Sequence, residues 1–135
     1  MLAAERRMMK SEARKVDSGG KPKVLRREES LRSRQYRGVF VRVIYEWDTI
    51  EILRTEMDPG SMVEDREIGN FPVIHFVIEG SPIFLVANQS ADLIPGDSIS
   101  LRADENYRIS NPASSRSIIL TVLIKDPGQQ KNGEP

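Results

Sequence analysis

The sequence contains no cysteine, only one histidine and few aromatic side chains. Without cysteine, the chain can form neither disulfide bonds nor thiolate metal sites, and it has no cysteine nucleophile. With His75 as the only histidine, a metal centre that needs several imidazole ligands is excluded as well. No apolar run approaches the roughly 18 residues of a transmembrane helix, and the N-terminal residues contain no apolar stretch that could act as a signal peptide. We therefore expect a cytoplasmic protein without a membrane partner.

The 20 basic and 20 acidic side chains cancel, but they are unevenly distributed along the chain. Residues 1–35 carry 11 basic and 5 acidic side chains, which gives this segment a net charge of +6 and leaves −6 on the rest. A basic arm of this kind can bind nucleic acid or an acidic protein, or it can be a flexible, solubilising extension. Because the arm lacks interleaved aromatic residues and any reading motif, it would support only weak, salt-sensitive contact with nucleic acid. Nucleic acid is therefore not an expected partner.

The chain divides into three parts by composition. Residues 1–35 are poor in the aromatic and β-branched residues that build a core. We predict that this arm is mostly disordered and that Val24–Leu31 adds an edge strand. Residues 36–125 have the apolar patterning of one small domain. Residues 126–135 are polar and are predicted to be a disordered tail.

After the arm, apolar residues alternate with polar ones, which is the period of a β-strand. In the first of these strands, Val39, Val41, Val43, Tyr45 and Trp47 are predicted to share one face. Turn residues separate the strands at intervals of roughly ten residues. The predicted strands are Gly38–Trp47, Ile50–Met57, Pro72–Glu79, Ile83–Ala87, Ala91–Ile94, Ser98–Leu101, Tyr107–Ser110 and Ser117–Lys125. This pattern predicts an all-β, antiparallel sandwich or barrel.

Two segments resemble the signature motifs of the cupin superfamily. The first motif ends in Phe76-Val77-Ile78-Glu79-Gly80, and the second begins with Leu93-Ile94-Pro95-Gly96-Asp97. Counted without a gap, the first motif runs from Gly60 to Gly80 and the second from Gly96 to Asn111. The resemblance covers about residues 37–125 and implies an antiparallel cupin-type β-barrel, or jelly roll.

The positions inside the two motifs depart from the cupin pattern. In cupins, two histidines, a glutamate and a later histidine hold a divalent metal, and here these positions are Arg66, Ile68, Val73 and Tyr107. Isoleucine and valine have no lone pair, arginine would place a positive charge beside the cation, and tyrosine alone cannot form a site. The resemblance therefore implies a metal-free barrel without a cofactor. The inner proline and glycine of the second motif are also replaced, by Arg102 and Asp104.

His75 follows Val73 by two residues on one strand, so both side chains are expected to face the barrel interior. A lone histidine there can be a hydrogen-bonded core residue, or it can act as an acid or base near neutral pH. Some metal-free cupins, such as certain sugar-nucleotide epimerases and ketoisomerases, use pocket histidines. In an enzyme of that type, Tyr107 would donate a proton and Arg66 would hold an anionic group. We predict that Arg66, Ile68, Val73, His75 and Tyr107 line one ligand-binding pocket.

Two classes of function remain open at this point. The first is a non-catalytic cupin that binds a small ligand or acts as a dimerisation and regulatory module, and the loss of all four metal positions favours it. The second is a metal-independent isomerase- or epimerase-like enzyme that acts on a small polar or carbohydrate substrate through His75 and Tyr107. The strand from Gly38 to Trp47 is apolar on parts of both faces, which predicts a partner surface and a homodimer. Burial of that strand under the N-terminal arm is the alternative.

Overall fold

The computed structural model describes residues 23–64 and 70–125, which contain ten β-strands. The strands are β1 (Arg32–Tyr36), β2 (Val39–Glu46), β3 (Ile50–Met57), β4 (Met62–Glu64), β5 (Val73–Glu79), β6 (Ile83–Val86), β7 (Gln89–Asp92), β8 (Ser98–Leu101), β9 (Tyr107–Ser110) and β10 (Ser117–Ile124). They form a six-stranded sheet in the order β1-β2-β3-β10-β5-β8 and a four-stranded sheet in the order β4-β9-β6-β7. Every strand pair is antiparallel. In the part of the chain that the structure describes, no helix is long and apolar enough to cross a membrane.

The all-β, antiparallel fold expected from the sequence is confirmed. The two sheets lie face to face, and the alternate residues that point between them form one apolar core. Among the described residues the sheets do not join into one continuous ring of hydrogen bonds, so the barrel has the flattened, two-layer form of a jelly roll. The core is built from Val39, Val43, Leu53, Met57, Val63, Val73, Val77, Phe84, Leu93, Leu101, Tyr107, Ile109, Ile119 and Leu123.

The edge strand predicted at Val24–Leu31 is wrong, because those residues form no strand. The edge strand is β1, which pairs with β2 over Arg32–Tyr36 and so begins before the boundary predicted at residue 36. Its sequence is almost wholly polar, and an edge strand with exposed side chains carries no apolar alternation by which to recognise it. The disorder predicted for residues 1–22 and 126–135 falls outside the described residues.

A β-bulge in β2 changes which side chains face the core. The pairing with β3 shifts between Val43 and Tyr45, so that Val43 lies opposite Leu53 and Tyr45 lies opposite Ile52. Leu53 faces the core, whereas Ile52 is on the outer face of the sheet, and Tyr45 therefore also lies on the outer face. The expectation that Tyr45 shares a face with Val39, Val41 and Val43 is wrong for this reason. A one-residue bulge reverses the alternation and leaves no mark in the apolar pattern.

The turn Pro95-Gly96-Asp97, which the cupin resemblance rests on, is held by short hydrogen bonds. The backbone N–H of Ile94 donates to the Asp97 carboxylate at 3.0 Å, and the N–H of Asp97 donates to the Ile94 carbonyl at 2.9 Å. The N–H of Gly96 donates to the Val77 carbonyl at 2.9 Å, and this bond ties the turn to β5. Asp97 thus acts through its side chain on the backbone of its own turn.

Asn111, the last residue of the second motif, joins three chain segments in the interior. It is fully buried, and its Nδ2 donates to the carbonyls of Met57 and Ser115, both at 2.9 Å. The Ser117 hydroxyl donates to its Oδ1 at 3.1 Å. The carbonyl oxygen of Asn111 also accepts a hydrogen bond from the Gly60 N–H at 2.7 Å. Asn111 therefore fixes the turn after β3 against the loop before β10. This role requires no ligand.

Gly80→Ala should destabilise the fold far more than Gly96→Ala. Both glycines have positive φ, of 89° and 98°, and share the cost of placing a side chain in that region. A Cβ at Gly80 would also lie 2.7 Å from the Ser117 Cα and 2.8 Å from the Arg116 carbonyl oxygen, whereas at Gly96 it would meet nothing within 4 Å. We expect a loss of about 1–2 kcal/mol in the free energy of unfolding for Gly96→Ala and about 2–5 kcal/mol for Gly80→Ala. Urea denaturation measures both, and equal losses would contradict the close approach of β10.

Candidate functional site

The His75 side chain lies in the middle of the core and links the two sheets. It is 1% exposed, and its Nδ1 is 2.7 Å from Oγ1 of Thr121, while its Nε2 is 3.1 Å from the Tyr107 hydroxyl. Thr121 is directly opposite His75 in the pairing of β10 with β5, whereas Tyr107 begins β9 in the other sheet. In a neutral imidazole one nitrogen donates and the other accepts, so both ring nitrogens are satisfied by these hydroxyls. His75 therefore forms a polar bridge across an otherwise apolar interior.

The surroundings of the imidazole disfavour its charged form. The Phe84 ring centroid is 5.3 Å away and the Tyr107 ring is edge-on at 5.5 Å. Burial lowers the pKa of His75 from 6.5 to about 3, because no carboxylate among its described contacts offsets the loss of hydration. At neutral pH the ring is uncharged. Its low pKa makes it a weak general base, since such catalysis works best when the pKa is near the working pH.

The structure places some of the predicted pocket residues together. Val73 and His75 lie two residues apart on β5 with both side chains buried, and His75 contacts Tyr107. Arg66 and Ile68 lie outside the described residues. Among the residues that the structure does describe, no group of three or more histidine, cysteine, aspartate and glutamate side chains could hold a metal ion. Val73 contributes only methyl groups at its position, so the donor set does not fit the metal that cupins commonly carry.

A small cavity lies beside His75. Its volume is about 30 Å³, which suits a water molecule but not a substrate. Thr55 and Thr121 line it from the six-stranded sheet, and Arg34 and Tyr36 close it from β1. Of the predicted pocket residues that the structure describes, His75 lines this cavity, whereas Val73 and Tyr107 do not. β1, which the sequence assigned mainly to the disordered arm, forms part of the cavity wall.

A larger cavity of about 350 Å³ opens beside β1, and its lining residues all belong to the six-stranded sheet. Its volume is within the range of small-molecule sites. The apolar part of its lining comes from Val41, Val43, Leu53 and Leu123. The polar part comes from Arg32, Ser33, Arg34 and Glu51. We call this space the mouth cavity; it shares Arg34, Val41 and Leu53 with the small cavity at His75.

Ion pairs hold one side of the mouth cavity. Arg32 donates to Glu46 at 2.9 Å and to Glu51 at 2.8 Å, and Lys125 donates to Glu46 at 2.9 Å. The hydrogen bonds from Arg32 and then from Lys125 lower the pKa of Glu46 to about 2. These four side chains connect β1, β2 and β3 with the residue that follows β10. They keep the edge strand in place at a position where it has few apolar contacts.

The loop in which the cupin proline and glycine are replaced has a local stabilising network. The backbone N–H of Arg102 donates to the Glu105 carboxylate at 2.7 Å, and the Arg102 guanidinium donates to Asp104 at 3.2 Å. The Glu105 N–H returns a bond to the Arg102 carbonyl at 3.2 Å. Arg102 and Asp104 thus stabilise a turn in place of the residues that they substitute.

Sequence reasoning missed Thr121, Tyr36 and the residues of the mouth cavity. Thr121 becomes a partner of His75 only because β10 pairs with β5, and that pairing joins positions far apart in the sequence. Glu51 and Leu53 alternate with outer-face residues along β3 in the expected way, so their inward orientation could have been read from the pattern. The position of β1 could not have been read from the sequence pattern, because its residues are polar on both faces.

No protein-family model matches the sequence, and no curated protein matches it either. Solved structures do match the fold. A cupin superfamily protein from Desulfitobacterium hafniense is 19% identical with a TM-score of 0.61, and the match covers 78% of this chain and 99% of that one. A Cupin 2 conserved barrel domain protein from Salinispora arenicola is 13% identical with a TM-score of 0.67, covering 84% and 98%. A sugar phosphate isomerase of the cupin superfamily from Silicibacter pomeroyi is 13% identical with a TM-score of 0.54, covering 67% and 61%. At these identities the likeness shows the fold, and the chain has the cupin fold.

The buried, neutral His75 predicts a loss of stability in acid. The unfolded chain binds a proton at His75 below about pH 6.5, whereas the folded chain does so only near its lowered pKa of about 3. Stability is therefore lost as the pH falls through this window, by up to about 1.4 kcal/mol per pH unit. Between pH 7 and 4.5 we expect His75 to account for a decrease of about 2–3 kcal/mol in the free energy of unfolding.

His75→Gln is the matched variant for this measurement, because glutamine keeps hydrogen-bonding groups but does not titrate. Urea denaturation at several pH values should show a shallower decrease for the variant than for the original protein. The difference between the two slopes is the result, since a constant destabilisation by the substitution cancels. Parallel curves would mean that His75 is not protonated on unfolding in this range.

Proposed function

We propose that this protein, which has the cupin fold, is a non-catalytic, metal-free domain that binds a small molecule in the mouth cavity. The observation that carries the proposal is the state of His75, whose two nitrogens are both taken up by hydroxyls of the protein in a space of about 30 Å³. A substrate has no room beside this group. The mouth cavity, in contrast, offers about 350 Å³, a volume within the range of small-molecule sites, and its lining combines four apolar with four polar or charged residues.

The chemistry of the interior supports a domain that needs no metal. Val73 stands at one of the cupin metal positions and has no donor atom. Tyr107 stands at another, and its hydroxyl already contacts His75 at 3.1 Å. Binding without turnover is consistent with the low pKa of His75, which keeps the ring uncharged at neutral pH.

A metal-independent enzyme of the isomerase or epimerase type is the second candidate. The hydrogen bond between His75 and Tyr107 favours it, since a histidine and a tyrosine in contact can move a proton to and from a carbohydrate. The matched sugar phosphate isomerase from Silicibacter pomeroyi is a sugar-directed member of the same fold. For this function the small cavity at His75 would have to widen when substrate binds. The predicted homodimer and the cytoplasmic location stay predictions.

Chelation and ligand screening test the proposal together. Adding EDTA should leave the thermal midpoint unchanged, because no metal contributes to the folded state. In a panel of monocarboxylates, hexoses and hexose phosphates, at least one class should raise the midpoint by binding the native state. A decrease in the midpoint with EDTA would contradict the metal-free proposal.

Val43→Phe should remove any such stabilisation, because the larger ring would fill part of the mouth cavity. Ile52→Phe is its control, since Ile52 precedes the cavity residue Leu53 in the chain but lies on the outer face of β3. Stabilisation that survives Val43→Phe would place the ligand elsewhere. Turnover of a hexose phosphate that disappears in His75→Gln would establish the enzymatic alternative.

A further inference from the structure

The outer face of the six-stranded sheet, which points away from both cavities, has a cationic half and an apolar half. One row of outer-face positions crosses five strands, from Arg42 on β2 to Arg54, Leu120, Phe76 and finally Ser98 on β8. The strand register places these residues directly opposite one another. Adjacent strands lie about 4.8 Å apart, so the two arginines and Phe76 are within reach of one extended segment.

The cationic half has more positive charge than its own carboxylate can neutralise. The Glu56 carboxylate accepts from Arg42 at 3.0 Å and from Arg116 at 3.1 Å, and Arg54 lies 3.7 Å from it. Three guanidinium groups thus surround one carboxylate, and the Glu56 side chain is only 10% exposed. The Nε of Arg54 is buried and has no hydrogen-bond partner among the described residues. That N–H is enclosed by the protein itself, so a docked carboxylate would reach the cluster through the accessible parts of Arg116, whose side chain is 44% exposed, and of Arg54, at 22%.

The segment that leads into β1 adds further positive charge to this half. The Arg54 guanidinium donates to the Arg27 carbonyl, and the Tyr45 hydroxyl donates to the Lys23 carbonyl at 3.1 Å. Residues 23–31 therefore lie against the outer face and are attached there through their backbone. They contain three basic and two acidic side chains. Together with the two unbalanced charges around Glu56, the local net charge is about +3.

The apolar half carries side chains that are large and exposed. Phe76 is 36% exposed, and its strand neighbour Ile78 is 53% exposed. Ile94, in the turn that bonds to β5, is 59% exposed. Exposed apolar residues grouped on one sheet face commonly mark an interaction surface. The neighbouring arginines then set the charge of the partner.

We infer that this outer face is a docking surface for a segment of another protein that carries carboxylates beside apolar side chains. Carboxylates would pair with the Arg54 and Arg116 guanidinium groups in the fork geometry that arginine favours, and apolar side chains would cover Phe76 and Ile78. A second copy of the chain fits less well. A two-fold axis through this face would bring the arginines against arginines or against the apolar half, where Glu79 would offer one exposed carboxylate to three guanidinium groups. Phosphate groups alone would leave the apolar half uncovered.

Peptide binding to the full-length protein tests this inference. The probe is a fluorescently labelled peptide of alternating glutamate and leucine, and the reference peptide has lysine in place of glutamate. Measured by fluorescence anisotropy at low salt, the glutamate peptide should bind at least about tenfold more tightly than the lysine peptide. Arg54→Gln and Arg116→Gln should each weaken binding of the glutamate peptide about five- to tenfold, because a hydrogen bond to a charged group is lost.

Two further variants distinguish binding at this surface from a general attraction between the peptide and exposed arginines. Arg102→Gln removes an exposed arginine that is ion-paired in a different loop, so binding should stay within about twofold of the original. Phe76→Ser should weaken binding of the glutamate peptide, because it removes an apolar contact while leaving the charge of the surface unchanged. Since Arg116 is only partly buried, Arg116→Gln tests the inference even if Arg54→Gln does not fold.

Several outcomes would overturn the inference. Equal affinity for both peptides, absence of binding, or binding that is indifferent to Arg54→Gln and Arg116→Gln would each remove it. If sedimentation shows that the protein is a dimer and that Phe76→Ser makes it monomeric, the surface is the interface with a second copy of the chain. Binding of a single-stranded oligonucleotide that depends on the same arginines and exceeds that of the peptide would assign it to nucleic acid. None of these results bears on the mouth cavity, which lies on the other side of the sheet.

Discussion

The hydrogen-bonded bridge formed by Thr121, His75 and Tyr107 is the constraint on which the interior of this protein depends. It joins the two sheets by polar groups inside an apolar core. Apolar packing between sheets is not directional, whereas a hydrogen bond is satisfied only at one distance and orientation. The bridge therefore fixes β9 against β5 and β10. Both imidazole nitrogens are used for this purpose, so the same geometry that orders the core also fixes the orientation of the His75 ring.

The two faces of the six-stranded sheet have separate properties for a simple reason. Strand alternation sends successive side chains to opposite sides, so the inner and outer faces of β3 can differ in every respect. On the inner face, Leu53 and Thr55 line the cavities. On the outer face, Arg54 and Glu56 belong to the charged cluster. A ligand inside the barrel and a protein outside it would thus contact neighbouring residues of one strand.

The sequence predicted the fold well where the apolar pattern is regular and poorly where pairing decides the outcome. The bounds of β3, β8 and β9 agree with the prediction, because each is an alternating run between clear turn residues. β1 was missed, since a polar edge strand is recognisable only by its partner. For the site, the approach of Tyr107 to His75 followed from the cupin frame. The contact of Thr121 with His75 could not be predicted, because it arises from long-range strand pairing. The mouth cavity could not be predicted either, because it depends on the position of β1.

The position of β10 has a consequence for how the protein is made. β10 follows the other nine described strands along the chain, yet it lies in the middle of the six-stranded sheet between β3 and β5. Until β10 has left the ribosome, β3 and β5 have no shared neighbour, and their facing edges remain unpaired. Thr121, which completes the hydrogen bonding of His75, arrives on the same strand. The nascent chain therefore carries two open strand edges until β10 emerges, and this interval is the one most exposed to misassembly.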